Sequence, residues 1–109
     1  MSTISTHVLD TSLGRPAAGI RVTLRRDSSL IGSGMTDEDG RVRDLLEKVS
    51  MLTEGDYTLS FSVGDYFANS KRETFYGDIQ ISFRIGAGTE HYHVPLLLSP
   101  FGYSTYRGS

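Results

Sequence analysis

The chain has 109 residues, no cysteine and a formal net charge of −2. That length fits one domain, 1–109; the missing cysteine excludes disulfides and thiolate chemistry; and the near-neutral charge leaves no electrostatic footprint for nucleic acid. The opening MSTISTHVLD has no basic region followed by an apolar one, and no apolar run approaches the roughly 20 residues that span a bilayer, so a cytoplasmic protein with no membrane partner and no signal peptide is expected.

Apolar and polar residues alternate with period two along most of the chain, which predicts strands. In the first, residues 4–10, Ile4, Thr6 and Val8 share one face while Ser5, His7 and Leu9 share the other. Leu13-Gly14-Arg15-Pro16 closes it. Ile20, Val22 and Leu24 then alternate with Arg21, Thr23 and Arg25. Asp37-Glu38-Asp39-Gly40 is a turn, since Asp-Gly readily supplies positive φ, and the short segment Arg41-Val42-Arg43 follows it. Tyr57, Leu59, Phe61 and Val63 alternate with Thr58, Ser60 and Ser62. The polar stretch 64–75 has Tyr66, Phe67 and Ser70 at helical offsets, which predicts one short helix with Asp65 as its N-cap. Ile79, Ile81, Phe83 and Ile85 make another strand, ended by Gly86-Ala87-Gly88. The count is seven or eight short strands at sandwich-like spacing, an all-β two-sheet sandwich with one short helix.

A further strand contains His91-Tyr92-His93-Val94-Pro95-Leu96-Leu97-Leu98. Tyr92, Val94, Leu96 and Leu98 form its core face, so His91, His93, Pro95 and Leu97 point away, as does His7 on the first strand. A single outward histidine is ordinarily a solvated one. Here Leu9, Pro95 and Leu97 make the same faces too apolar for open water, so they need a cover, and in a chain this small a second copy is the natural one. Two chemistries suit such a site. In one, a neutral histidine activates water and an arginine polarises a carbonyl. In the other, three histidines on a His-x-His strand hold zinc and its hydroxide. Residue types alone leave both open. Tyr103 and Tyr106 are also unusually large for a frayed tail.

The block HYHVPLLLSPFGYSTYRGS, residues 91–109, closely resembles the C-terminal signature of the 5-hydroxyisourate hydrolases, the transthyretin-like proteins, whose hallmark is the terminal YRGS. THVLDTSLGRPAAGIRVTL (6–24), TDEDGR (36–41) and GDYTLSFSVGDYF (55–67) resemble further parts of the family in the same order. The resemblance implies a transthyretin-like sandwich with a short helix after the fifth strand. It also implies a homotetramer, a dimer of dimers, with active sites in the groove between dimers. It assigns His7, Arg41 and His93 as catalytic, and His7, Arg41, Tyr106 and Ser109 as substrate-binding, with His91 and Arg107 secondary. The implied reaction is hydrolysis of 5-hydroxyisourate to 2-oxo-4-hydroxy-4-carboxy-5-ureidoimidazoline, on the way to allantoin, with no cofactor and no metal. A transthyretin-like carrier of a small hydrophobic ligand and a three-histidine zinc hydrolase are the competing readings.

Overall fold

In the computed structural model, which describes residues 2–46 and 52–108, strands β1 (Thr3–Asp10), β2 (Arg15–Pro16), β3 (Arg21–Arg26), β4 (Ser29–Met35), β5 (Arg41–Val42) and β6 (Gly55–Phe61) precede helix α1 (Val63–Asn69). Strands β7 (Ile79–Ile85), β8 (His91–Ser99) and β9 (Gly102–Thr105) follow it. Seven of these nine strands are longer than two residues; β2 and β5 are two-residue pieces. One sheet runs β2-β1-β8-β9, with β5 also pairing β1, and the other runs β4-β3-β6-β7. All pairs are antiparallel except β1 with β8.

The alternation explains the core. Ile4 and Val8 of β1 and Leu96 and Leu98 of β8 meet Val22 and Leu24 of β3 and Leu59 and Phe61 of β6, all fully buried. Stripping that apolar surface of water is the main force holding the two sheets together. Thr6 is the one hydroxyl on β1's inner face, and it is satisfied by donating to the Val94 carbonyl at 2.6 Å.

Two boundaries differ from the sequence expectation. Val63 opens the helix instead of ending β6, because Val63 and Phe67, four residues apart, are the helix's buried face. The helix therefore starts before Gly64, and Asp65 lies within its first turn; the N-cap is Ser62, which makes no capping side-chain bond. It also stops early, at Asn69, with Lys71 at φ 57° just beyond. Strand β4, Ser29–Met35, escapes a sequence reading because its serines and glycines blur the alternation.

Asp10, at the end of β1, is wholly buried and ties this helix to the sheet. It accepts from Arg72 Nη2 (2.7 Å), Tyr66 Oη (2.7 Å), Ser12 Oγ (2.6 Å) and the Leu13 backbone N–H (3.2 Å). Burial alone would raise its carboxyl, but the bonds from Arg72, Ser12 and Tyr66 and the Arg72 charge outweigh it and hold the pKa at about 2.

Candidate active site

The outer face of the β1–β8 sheet carries the polar residues singled out above. Arg41 is placed by the turn before it. Asp37 Oδ1 accepts from the backbone N–H groups of Asp39 (2.9 Å) and Arg41 (3.0 Å), and the Gly40 N–H donates to the Asp37 carbonyl at 2.9 Å. The Arg41 N–H is the main reason the Asp37 carboxyl lies below its usual range. Gly40 has φ +75°, and a Cβ there would run into the Val8 carbonyl. Its own carbonyl accepts from the Val8 N–H at 2.7 Å, which docks the turn on β1. The pairing of β5 with β1 then sets Arg41 directly opposite His7.

On the other side of β1 the parallel register sets Thr3 opposite His91, Ser5 opposite His93 and His7 opposite Pro95. Arg41, His7 and Pro95 thus form one row across the sheet, and Ser5 and His93 the next. Beside these rows lies a hollow of about 270 Å³ lined by Ser5, Thr6, Arg41, Val42, Arg43, His91 and His93. His93 is half-buried, and burial first, then the positive neighbours Arg41, His7 and His91, push its pKa below the ordinary 6.5. A histidine so placed is neutral at pH 7 and able to accept a proton. Its Nδ1 lies 2.8 Å from Ser5 Oγ, which leaves Nε2 for whatever occupies the hollow.

The tail is held against this face. The register that pairs Leu97 with Ser104 continues to an isolated bridge between His93 and Gly108, so Tyr106 comes opposite Pro95 on the outer face. The Gly108 N–H donates to the His93 carbonyl at 2.8 Å, and Thr105 Oγ1 donates to the Pro95 carbonyl at 2.7 Å. Arg107 pairs with Glu90 at 3.1 Å and lies over the Tyr92 ring at 4.8 Å, so its charge clamps the tail and is turned away from the hollow. A Cβ at Gly108 would come within 2.6 Å of His93 Cδ2 and 3.3 Å of Pro95 Cγ. Pro95 is accordingly buried within one chain, where the alternation alone left it facing outward; its cover is the chain's own tail.

Of the residues expected at the site, Arg41 and His93 line the hollow; His7, opposite Arg41 and Pro95 in the sheet register, is not among its lining residues. Tyr106 is exposed and lines a neighbouring apolar depression of about 250 Å³, which shares His93 with the hollow. Ser109 lies outside the described residues. Tyr103 meets Tyr76 edge-on at 5.2 Å and lines neither depression. Among the described residues no three His, Cys, Asp or Glu side chains are grouped so as to hold a metal ion; Ser5 Oγ stands between the rings of His91 (2.9 Å) and His93 (2.8 Å). Sequence reasoning passed over Ser5, Arg43 and Gly108. Ser5 shares the outer face with His7, and Gly108 sits inside the YRGS motif, so both signals were present but carried no chemistry of their own.

Comparison with known proteins agrees along nearly the whole chain. The profile of the HIUase/Transthyretin family matches residues 4–108. A 5-hydroxyisourate hydrolase of Salmonella dublin is 44% identical over 110 residues, covering 97% of this chain and 80% of the relative. The structure of Klebsiella pneumoniae 5-hydroxyisourate hydrolase superposes with a TM-score of 0.91 at 41% identity, covering all of both chains. Sea bream transthyretin in complex with thyroxine gives 0.87 at 26% identity, over 96% of this chain and 93% of that one.

Proposed function

The chain belongs to the HIUase/transthyretin family, and from that premise we infer that it is a hydrolase that opens 5-hydroxyisourate in urate degradation. The observation that carries the mechanistic part is a half-buried His93, its pKa lowered, sharing one hollow with Arg41.

In the proposed mechanism His93 Nε2 takes a proton from water as the water oxygen bonds to the ring carbonyl carbon. Arg41 binds the carbonyl oxygen and stabilises the negative charge that develops there. The tetrahedral intermediate collapses by breaking the carbon–nitrogen bond, and the leaving nitrogen takes a proton. His7, opposite Arg41, orients the substrate and assists the proton transfers. Tyr106 hydrogen-bonds the ring, and Ser109 keeps the substrate-binding role that the resemblance implies. General acid–base help of this kind contributes about 10²–10⁴-fold, enough for a substrate that already decays in water. No cofactor enters the scheme.

The hollow is open on one side and Tyr106 is exposed, so the proposal includes closure by other copies of the chain in a homotetramer, a dimer of dimers, working in the cytoplasm. Light scattering tests the assembly: a monomer with full activity would remove the shared groove from the scheme. The activity itself is tested by generating 5-hydroxyisourate with urate oxidase and following its ultraviolet decay. Decay faster with the protein than without it, and unaffected by chelators, is expected. Unchanged decay would return the chain to the carrier reading that its likeness to transthyretin keeps in view.

A further inference from the structure

From His93 runs a chain of three further side chains that the reaction scheme above does not use. His93 Nδ1 lies 2.8 Å from Ser5 Oγ, Ser5 Oγ lies 2.9 Å from His91 Nε2, and His91 Nδ1 lies 2.5 Å from Thr3 Oγ1. The parallel pairing of β1 with β8 produces it, because Thr3 and Ser5 stand opposite His91 and His93 and all four point to the outer face. Ser5 is buried, His93 half-buried and His91 exposed, so the chain runs along the lining of the hollow to a solvent-exposed ring.

A hydroxyl between two imidazoles can donate to one and accept from the other, and it can do so in two directions. In the first arrangement His93 Nδ1–H donates to Ser5, Ser5 donates to His91 Nε2, and His91 Nδ1–H donates to Thr3. His93 Nε2 is then bare and is a base. Placing a proton on Nε2 would put a full imidazolium in a half-buried position facing Arg41 of β5 and His7 of β1, with Arg43 lining the same hollow. That charge is disfavoured there by burial and by like charges. His91 is exposed, and Glu90, the residue before it, is already paired with Arg107.

We propose that Ser5 and His91 are positioning residues that form a proton relay behind His93, with His91 storing the proton between the two halves of the hydrolysis. The proposal rests on the hydrolase reading above. As water gives a proton to His93 Nε2, the Nδ1 proton passes to Ser5 Oγ and the Ser5 proton passes to His91 Nε2. The positive charge is then on His91, and His93 is neutral with its proton on Nε2, ready to act as an acid. When the carbon–nitrogen bond breaks, Nε2 gives that proton to the leaving nitrogen. Ser5 returns a proton to Nδ1 and His91 returns one to Ser5, so the relay is reset. The second proton of the water leaves with the ionising carboxylic acid product. One histidine thereby serves as base and then acid without holding the charge itself.

The test uses Ser5→Ala, Ser5→Thr and His91→Gln in the full chain. His91→Gln keeps a hydrogen-bonding partner for Ser5 but cannot store a proton, and its exposed position leaves folding undisturbed. Both Ser5→Ala and His91→Gln are expected to lower kcat by about ten- to a hundredfold, within the range that acid–base help supplies, with KM changed less than about twofold. The double variant should be no worse than either single one, because the two residues act in series. Ser5→Thr should retain most of kcat. Nitrogen-15 spectra of the histidine rings read the relay without reference to activity: in the wild type His93 should carry its proton on Nδ1, bonded to Ser5, and Ser5→Ala should abolish that preference. Full kcat in His91→Gln, or additive losses in the double variant, would overturn the relay while leaving the hydrolase reading intact. Failure of the wild type to accelerate decay would remove the hydrolase reading, and the tautomers in the ring spectra would still decide whether the hydrogen-bonded chain exists.

Discussion

At the scale of single residues, His93 and Gly108 depend on each other. The lowered pKa of His93 has a direct sign: the base form persists further into acid than an ordinary histidine would allow. The acid limb of the kcat/KM profile should therefore have its midpoint below 6.5. Arg41→Gln should move that midpoint up, though not to 6.5, since burial is the larger cause. A limb centred at or above 6.5 in the wild type would assign the base to another group. Gly108 is a glycine for reasons of space: a Cβ would come within 2.6 Å of the His93 ring. Gly108→Ala should therefore displace either the ring or the tail and reduce kcat at least tenfold. The tail is peripheral to the core, so the urea midpoint should scarcely change; a large stability loss with normal turnover would contradict this account.

At the scale of elements, the site is assembled by pairings between segments far apart in sequence. The turn before Arg41 carries two constraints at once, the left-handed backbone of Gly40 and its close approach to Val8. Gly40→Ala should cost about 1–2 kcal/mol for the backbone conformation alone, and more for the contact. It should also move Arg41 off His7, so thermal melts and turnover should fall together. The Asp10 cluster joins β1 to the segment after α1 in the same non-local way. Because the Asp10 carboxyl titrates at about 2 in the fold, below its ordinary 3.8, its contribution is fully present above 3.8 and is lost as pH falls towards 2. That contribution is about 2 kcal/mol. Asp10→Asn should remove it and leave Arg72 without its partner, so the variant's stability should be lower at pH 7 and show a weaker acid dependence between pH 4 and 2. An unchanged acid limb would mean that Asp10 is not the group responsible.

At the scale of the whole molecule, the tail is a segment whose position depends on the rest of the sheet. Arg107 on Glu90 and Gly108 on His93 hold it along β8. Deleting residues 106–109 should cripple turnover and leave the assembly unchanged by light scattering. Normal hydrolysis by the truncated chain would reduce the tail to a structural strand end. Among the described residues no helix is long and apolar enough to cross a membrane.

Much of this was legible in the residue order. Period-two alternation is a local property of the backbone, so it marked the inner faces of β1, β3, β6 and β8 and turned His7, His91 and His93 outward. The Asp-Gly turn before Arg41 was equally local. The YRGS motif identified the tail by resemblance. Other features were decided only when strands paired. The helix start moved to Val63 because burial against the sheets chose its face. Pro95 became buried because the tail crossed it, and Ser5 came between two histidines because β1 and β8 run parallel in one register. Faces follow from the sequence because each residue's direction depends on its neighbours in the chain. Partners across a sheet do not, because register is set by the packing of the entire core.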